Sequence, residues 1–142
     1  MEEILFRGKS IDNGEWVQSN CIIQFDYHPT KNCKAIQLWV DFEGWVDVIP
    51  ETVGQYIGLE DVNGIKIFEG DVVEVTCKFK GKVEYENCGI VKYIGNAFVL
   101  DIFTSDEENE TFPIYESICN DEREDTFIVV GNVYDDKDLL MK

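Results

Sequence analysis

The sequence predicts a mainly β fold. Aromatic residues are 13% of the 142, Val and Ile are frequent, and eleven Gly punctuate the chain, a composition that favours sheet over helix. No segment sustains apolar residues at i, i+3, i+4 and i+7, the spacing of an amphipathic helix. With 44% apolar residues, the chain can bury a core, as one domain or as two small β modules sharing one.

The elements follow in order. Residues 3–8 read as a short first strand and Asn13-Gly14 as a turn. Trp16 to Phe25 reads as a second strand, with Cys21, Ile23 and Phe25 alternating onto one face. Residues 35–49 read as a hairpin bent at Glu43-Gly44. It brings Trp39, Phe42 and Trp45 together, and the reading is that they pack a core. A stacking platform for bases or sugars is the alternative, opposed by the local charges Asp41, Glu43 and Asp47.

Pro50-Glu51-Thr52-Val53 suits one helical turn ended by Gly54, since proline fits the first helical position. Asn63-Gly64 between apolar stretches is the strongest hairpin signal in the chain. Glu69-Gly70-Asp71 is a further turn, Val72–Thr76 a strand, and 82–94 and 97–103 two strands joined by Gly95-Asn96. Phe127-Ile128-Val129-Val130 reads as a short strand buried on both faces, broken by Gly131-Asn132 and followed by a short capped helical tail, with Leu139 and Leu140 packing back.

Charge narrows the function. Twelve Lys+Arg against 29 Asp+Glu give a net of −17. That opposes a surface gripping phosphate backbones or anionic membranes, both of which need clustered bases. Residues 1–100 hold 16 acids and 9 bases (−7), and residues 101–142 hold 13 and 3 (−10), so the last third carries most of the field. Two clusters dominate it: Asp106-Glu107-Glu108-Asn109-Glu110 and Asp121-Glu122-Arg123-Glu124-Asp125. They read first as solvated loops, and second as an anionic face for a basic partner, formed by Asp106, Glu107, Glu108, Glu110, Asp121, Glu122, Glu124 and Asp125. Neither has the alternating register of a calcium loop. Lys78, Lys80, Lys82 and Lys92 are the one basic stretch, and they read as protection of a strand edge.

Chemistry-bearing motifs are sparse. The five Cys, at 21, 33, 77, 88 and 119, form no C-x-x-C, and His28 is the single histidine. No zinc ligand set is expected, and the odd thiol count points to reduced cysteines in a cytosol. Cys21, Cys77 and Cys119 read as small core side chains, and Cys33 and Cys88 as exposed. A Cys33–His28 pair is conceivable but less expected than a surface histidine beside Pro29. No G-x-S-x-G, phosphate-binding or dinucleotide-binding glycine motif is present. No apolar run reaches the roughly 20 residues of a membrane span, and Met-Glu-Glu carries no basic leader region, so a signal peptide is not expected.

From Pro50 the sequence becomes specific. Pro50-Glu51-Thr52-Val53-Gly54-Gln55-Tyr56-Ile57-Gly58-Leu59-Glu60-Asp61, then Asn63-Gly64-Ile65-Lys66-Ile67-Phe68-Glu69-Gly70-Asp71-Val72-Val73, resembles the YopX family of phage and prophage proteins. Phe6-Arg7-Gly8-Lys9 and Gly14-Glu15-Trp16-Val17 look like its opening, and Val130-Gly131-Asn132-Val133-Tyr134 with Asp138-Leu139-Leu140 like its close. The resemblance spans the chain and implies a mostly β fold with a barrel-like portion, made in a bacterial cytoplasm from phage or prophage DNA. It implies no established activity and transfers no catalytic residue. The matching residues Arg7, Gly54, Tyr56, Gly58, Gly64, Glu69, Gly70 and Asp71 look structural, with Arg7 expected partly buried against Glu51, Glu69 or Asp71.

The expectation is a single domain over 1–142, mainly β with minor helical turns. Residues 1–49 would form an N-terminal sheet packed on a small SH3-like barrel at 55–134, and 135–142 a short tail. The leading function is a non-enzymatic, cytoplasmic phage accessory protein that binds another protein, with no cofactor or metal. A nucleic-acid-associated small barrel and an enzyme using carboxylate chemistry are the alternatives. Residues 127–130 are too apolar to face water, so that strand is either central within the chain or covered by a neighbour; a homo-oligomer is the expectation, since three Trp and nine Phe can cover apolar patches by pairing.

Overall fold

In a computed structural model of the chain, residues 3–25, 35–103 and 110–136 are described. The readings of His28 and Cys33, of Asp106, Glu107 and Glu108, and of a helical tail beyond Asp136 lie outside them. The described chain is mainly β, with one 3-10 turn, and divides into two compact units, Met1–Tyr56 and Ile57–Lys142.

The first unit holds strands β1 (Phe6–Lys9), β2 (Trp16–Ser19), β3 (Ile22–Phe25), β4 (Ala35–Val40) and β5 (Gly44–Val48). The 3-10 turn Pro50–Thr52 and the start of β6 (Gly54–Glu60) follow. β1 pairs antiparallel with β2 and with the first residues of β6. β3, β4 and β5 form a separate antiparallel sheet. Strand alternation sends Ile36, Leu38 and Val48 to one side, where Phe6, Val17, Ile22 and Val53 pack on them. Each such fully buried aliphatic contributes about 1.5–3 kcal/mol.

The expected strand from Trp16 to Phe25 is two strands. The buried Ser19 accepts the Cys21 N–H on its hydroxyl at 3.0 Å, a local side-chain turn that interrupts the ladder. Cys21 and Phe25 are consequently exposed rather than in a core. The 3-10 turn is fixed by Thr52, whose hydroxyl donates to Ile49 O at 2.6 Å and accepts the Lys9 N–H at 2.9 Å.

In the second unit the rest of β6 lies beside β7 (Lys66–Phe68), joined through the Asn63-Gly64 turn. A six-stranded antiparallel sheet follows in the order β11-β10-β9-β8-β13-β12. Its strands are β8 (Asp71–Phe79), β9 (Lys82–Ile94), β10 (Ala97–Ile102), β11 (Thr111–Pro113), β12 (Ile118–Cys119) and β13 (Arg123–Asn132). It curls into a half-barrel. Ile67, Val73, Val75, Val91, Leu100, Ile102 and Phe127 fill its core.

The closing apolar segment differs from expectation. Residues 127–130 belong to the ten-residue β13, and Val130 is exposed. Gly131-Asn132 do not end the strand, because a register shift between Val129 and Gly131 lets pairing with β8 continue to Asn132. The other edge of β13 is covered within the chain. Ser117 Oγ accepts the Phe127 N–H, Phe127 O accepts the Val62 N–H at 3.0 Å, and Asp61 Oδ2 accepts the Val129 N–H at 3.0 Å.

Two matching motifs meet at Gly70. It sits at φ +87°, and a Cβ there would lie 2.8 Å from the Tyr134 ring. Gly70 O also accepts the Val133 N–H at 3.0 Å. Beside it the buried Asp71 accepts the Phe68 N–H at 2.8 Å, closing the β7–β8 turn.

Candidate functional site

Two surface features stand out, one in each unit. The first is the outer face of the β3–β4–β5 sheet. The β4–β5 register sets Trp39 opposite Trp45 and Gln37 opposite Asp47. Since Leu38 and Val48 point to the core, the intervening Trp39, Trp45, Gln37 and Asp47 point away from it. The two indoles meet edge to face, centroids 5.4 Å apart and planes at 73°, and each is 42% exposed. Gln37 Nε2 donates to Asp47 Oδ1 at 2.9 Å. In the turn between the strands Phe42 is fully exposed and held at φ 72°, with Asp41 and Glu43 exposed on either side. Phe25, on β3, is exposed too. The expectation that Trp39, Phe42 and Trp45 pack a core is therefore overturned: the period of the strands gives the core face to Ile36, Leu38 and Val48.

A hollow of about 340 Å³ adjoins Trp39, lined by Gln18, Ser19, Asn20, Trp39, Val40 and Asp41. It has an aromatic wall, a carboxylate and side-chain amides.

The second feature is an ionic cluster at the end of the β8–β13 pair. Asp125 on β13 lies opposite Cys77 on β8 and is completely buried. Its Oδ2 accepts from Arg123 Nε at 2.8 Å and from the Tyr115 hydroxyl at 2.6 Å. Cys77 Sγ lies 3.9 Å from the same hydroxyl. Burial opposes the Asp125 charge, but the hydrogen bonds from Arg123 and then Tyr115 outweigh it and hold the carboxyl below its ordinary range. The Tyr115 phenol is pushed well up by burial and by the carboxylate it donates to. The Arg123 guanidinium is pushed up by its bonds to Asp125 and Tyr115. Burial raises the Cys77 thiol. A skipped residue, Glu84, shifts the β8–β9 register after Cys77, and a cleft of about 370 Å³ opens between Cys77, Lys78, Phe79, Glu84, Arg123 and Asp125. Chemically, this cluster keeps a protonated thiol, a protonated phenol and a bound carboxylate at neutral pH. That is a poor set for a nucleophile and base.

The sequence-predicted acidic face divides. Asp121, Glu122 and Glu124 are exposed around the β12–β13 connection. Glu110 is exposed and accepts from the Tyr85 hydroxyl at 3.3 Å. Asp125 leaves the face, because strand alternation turns it inward onto Tyr115 and away from the exposed Glu124. Among the matching residues, Gly54, Tyr56, Gly70 and Asp71 are buried, Glu69 is half-buried, and Gly58 and Gly64 are exposed at positive φ. Arg7 is half-buried, with its guanidinium 4.6 Å above the Trp16 ring in a cation–π contact. Of the thiols read as core, Cys21 and Cys119 are exposed and Cys77 is half-buried, while Cys88 is half-buried rather than exposed.

Sequence reasoning missed Asp61 and Tyr115. Asp61 could have been found from its place two residues before Asn63, where an aspartate bonds its own turn. Tyr115 carries no local signal.

Among the described residues no group of three or more His, Cys, Asp or Glu is placed to hold a metal ion, and no helix is long and apolar enough to cross a membrane.

The fold and these surfaces define a class: an acidic, mainly β protein with an exposed aromatic sheet face and a half-barrel sheet. Within that class the chain belongs to the YopX family, whose model, described as YopX protein, matches residues 5–141. The chain is similar to the crystal structure of protein EF1440 from Enterococcus faecalis, at 18% identity over 99% of each chain with a TM-score of 0.49. No curated protein matches it.

Proposed function

We propose that this YopX chain is a non-enzymatic accessory protein of phage or prophage origin, working in the bacterial cytoplasm by binding another protein through the outer face of β3–β4–β5. The observation that carries the reading is the exposed Trp39–Trp45 pair with Phe42 at its tip. Large aromatics held on a rigid sheet and left in water are what interface hot spots are made of. The acids beside them, Asp41 and Glu43, oppose a polyanion and favour a protein partner with basic groups. Asp121, Glu122 and Glu124, exposed in the second unit, belong to the net negative charge that would attract such a partner. The bound state of Asp125 and the protonated Cys77 weigh against carboxylate or thiol catalysis in the cleft.

The test is capture from bacterial lysate, with and without phage infection, comparing the native chain with the double variant Phe42→Ser/Trp45→Ala. A protein retained by the native chain and lost with the variant is the expected result. Identical retained sets would overturn the reading.

A further inference from the structure

The hollow beside Trp39 has a chemistry that selects what can enter it. It is lined by the aromatic Trp39 and the acidic Asp41 together with Val40 and the polar residues Gln18, Ser19 and Asn20. The Ser19 hydroxyl is already turned to the Cys21 N–H, and Asn20 Oδ1 accepts from the Cys21 thiol at 3.4 Å. Among the described residues no basic side chain lines it. A π face beside a carboxylate, with amide groups around them, is a receptor for a planar cation.

The same unit contains a worked instance of half of this chemistry. Arg7 stacks over Trp16 at 4.6 Å, with Lys9 also over that ring at 5.7 Å. Trp16 thus takes its cations from its own chain. Trp39 instead is exposed on a hairpin whose charged residues are Asp41, Glu43 and Asp47.

We infer that the hollow formed by Trp39, Asp41 and Asn20 receives an arginine side chain of the partner protein. The inference rests on the docking reading above and names the partner's chemistry. A guanidinium laid on the indole can at the same time donate to the Asp41 carboxylate, and its fork suits the side-chain amides around it. A second copy of this chain would bring another −17 to the same place, so charge complementarity favours a foreign basic segment over self-pairing.

The probe is the peptide acetyl-Gly-Arg-Gly-amide, with acetyl-Gly-citrulline-Gly-amide as its neutral isostere. Both are titrated at low salt into the full, 15N-labelled chain. The arginine peptide should shift the Trp39 indole N–H saturably, in the millimolar range, and leave the Trp16 indole unmoved. Citrulline should bind several-fold more weakly. Asp41→Asn should weaken the arginine peptide by about twofold to fivefold, the worth of an exposed ion pair. Trp39→Phe, followed at the Val40 amide, should also weaken it, because phenyl is the poorer cation partner. Both positions are exposed, and the remaining amide spectrum reports whether each variant is folded. Equal binding of the two peptides, or no movement at Trp39, overturns the arginine site. Either result leaves the docking reading standing, because that is judged from Phe42 and Trp45, which lie outside the hollow.

Discussion

Asp61 and Val129 are 68 residues apart in the chain, and the Asp61 carboxylate accepts the Val129 N–H at 3.0 Å. Its other oxygen accepts the N–H groups of Asn63 and Ile65, at 2.8 and 2.9 Å. One buried side chain therefore closes the β6–β7 turn and covers the outer edge of β13, joining the long matching motif to the strand that carries the closing one.

Asp61→Ala should be strongly destabilising for that reason. Three backbone donors lose their shared acceptor, and two elements lose their tie. The expected cost is about 2–4 kcal/mol, seen as a lower denaturant midpoint with little change in slope. A loss below about 0.5 kcal/mol would show that water replaces the carboxylate freely.

The contrast between Asn63-Gly64 and Asp61 shows what was legible. The turn is written locally, so residues 60–68 could be read as a hairpin without knowing the fold. The bond to Val129 is long-range and has no local signature. Trp39 and Trp45 show the same limit: their alternation was readable, but which face of β4 meets the core was not. That choice is made by Phe6, Val17 and Val53, which arrive from other parts of the chain. The acidic second cluster was readable as charge, and only the pairing of β12 with β13 shows that Asp125 turns inward from it.

Gly70→Ala should be costly at a position where alanine normally helps. The residue is at φ +87°, and the new Cβ would meet the Tyr134 ring at 2.8 Å. Strain and overpacking together should cost about 2–4 kcal/mol. The double variant Gly70→Ala/Tyr134→Ala separates them: relief of the clash should make the pair less than additive. Full additivity in thermal unfolding would mean that backbone strain alone is responsible.

The Asp125 cluster should leave a signature in acid. Its carboxyl is held below the usual range by Arg123 and Tyr115 against the opposing effect of burial. A depressed folded value means the contribution is complete above the unfolded value, near pH 4, and is lost as pH falls through the folded one. Asp125→Asn should be less stable than the native chain at neutral pH, and the gap should close below about pH 4. Tyr115→Phe should cost about 1–3 kcal/mol at neutral pH and move the acid transition upward, since one of the bonds holding the charge is gone. A gap that is constant with pH would show that Asp125 is not charged in the folded state.

The thiols should separate by exposure. Cys21 and Cys119 are exposed, and Cys77 is half-buried with its thiol pushed up. Because the thiolate is the reacting species, a maleimide pulse near pH 7.5 on the native protein should label Cys21 and Cys119 first and Cys77 much later. Peptide mass spectrometry reads the order. Tyr115→Phe removes the hydroxyl 3.9 Å from the sulfur, so the Cys77 rate is also a local probe of the cluster. Early labelling of Cys77 would mean that the β8–β13 end opens readily.

Self-association should depend on salt and on the aromatic face. The apolar strand that argued for an oligomer is satisfied inside the chain, since Phe127 is fully buried and both edges of its segment are bonded. On the β4–β5 hairpin of the first unit Trp39, Phe42 and Trp45 stay exposed, flanked by Asp41 and Glu43. Two copies meeting there bring like charges together, which opposes pairing at low salt. At about 1 M salt the screening length falls to about 3 Å and that opposition weakens, while apolar attraction does not. Light scattering at tens of micromolar should therefore give a monomer mass at low salt and a rising mass at high salt, and Phe42→Ser/Trp45→Ala should abolish the rise. A dimer that is stable at low salt and indifferent to those substitutions would place self-association on another surface and remove the charge argument against a second copy.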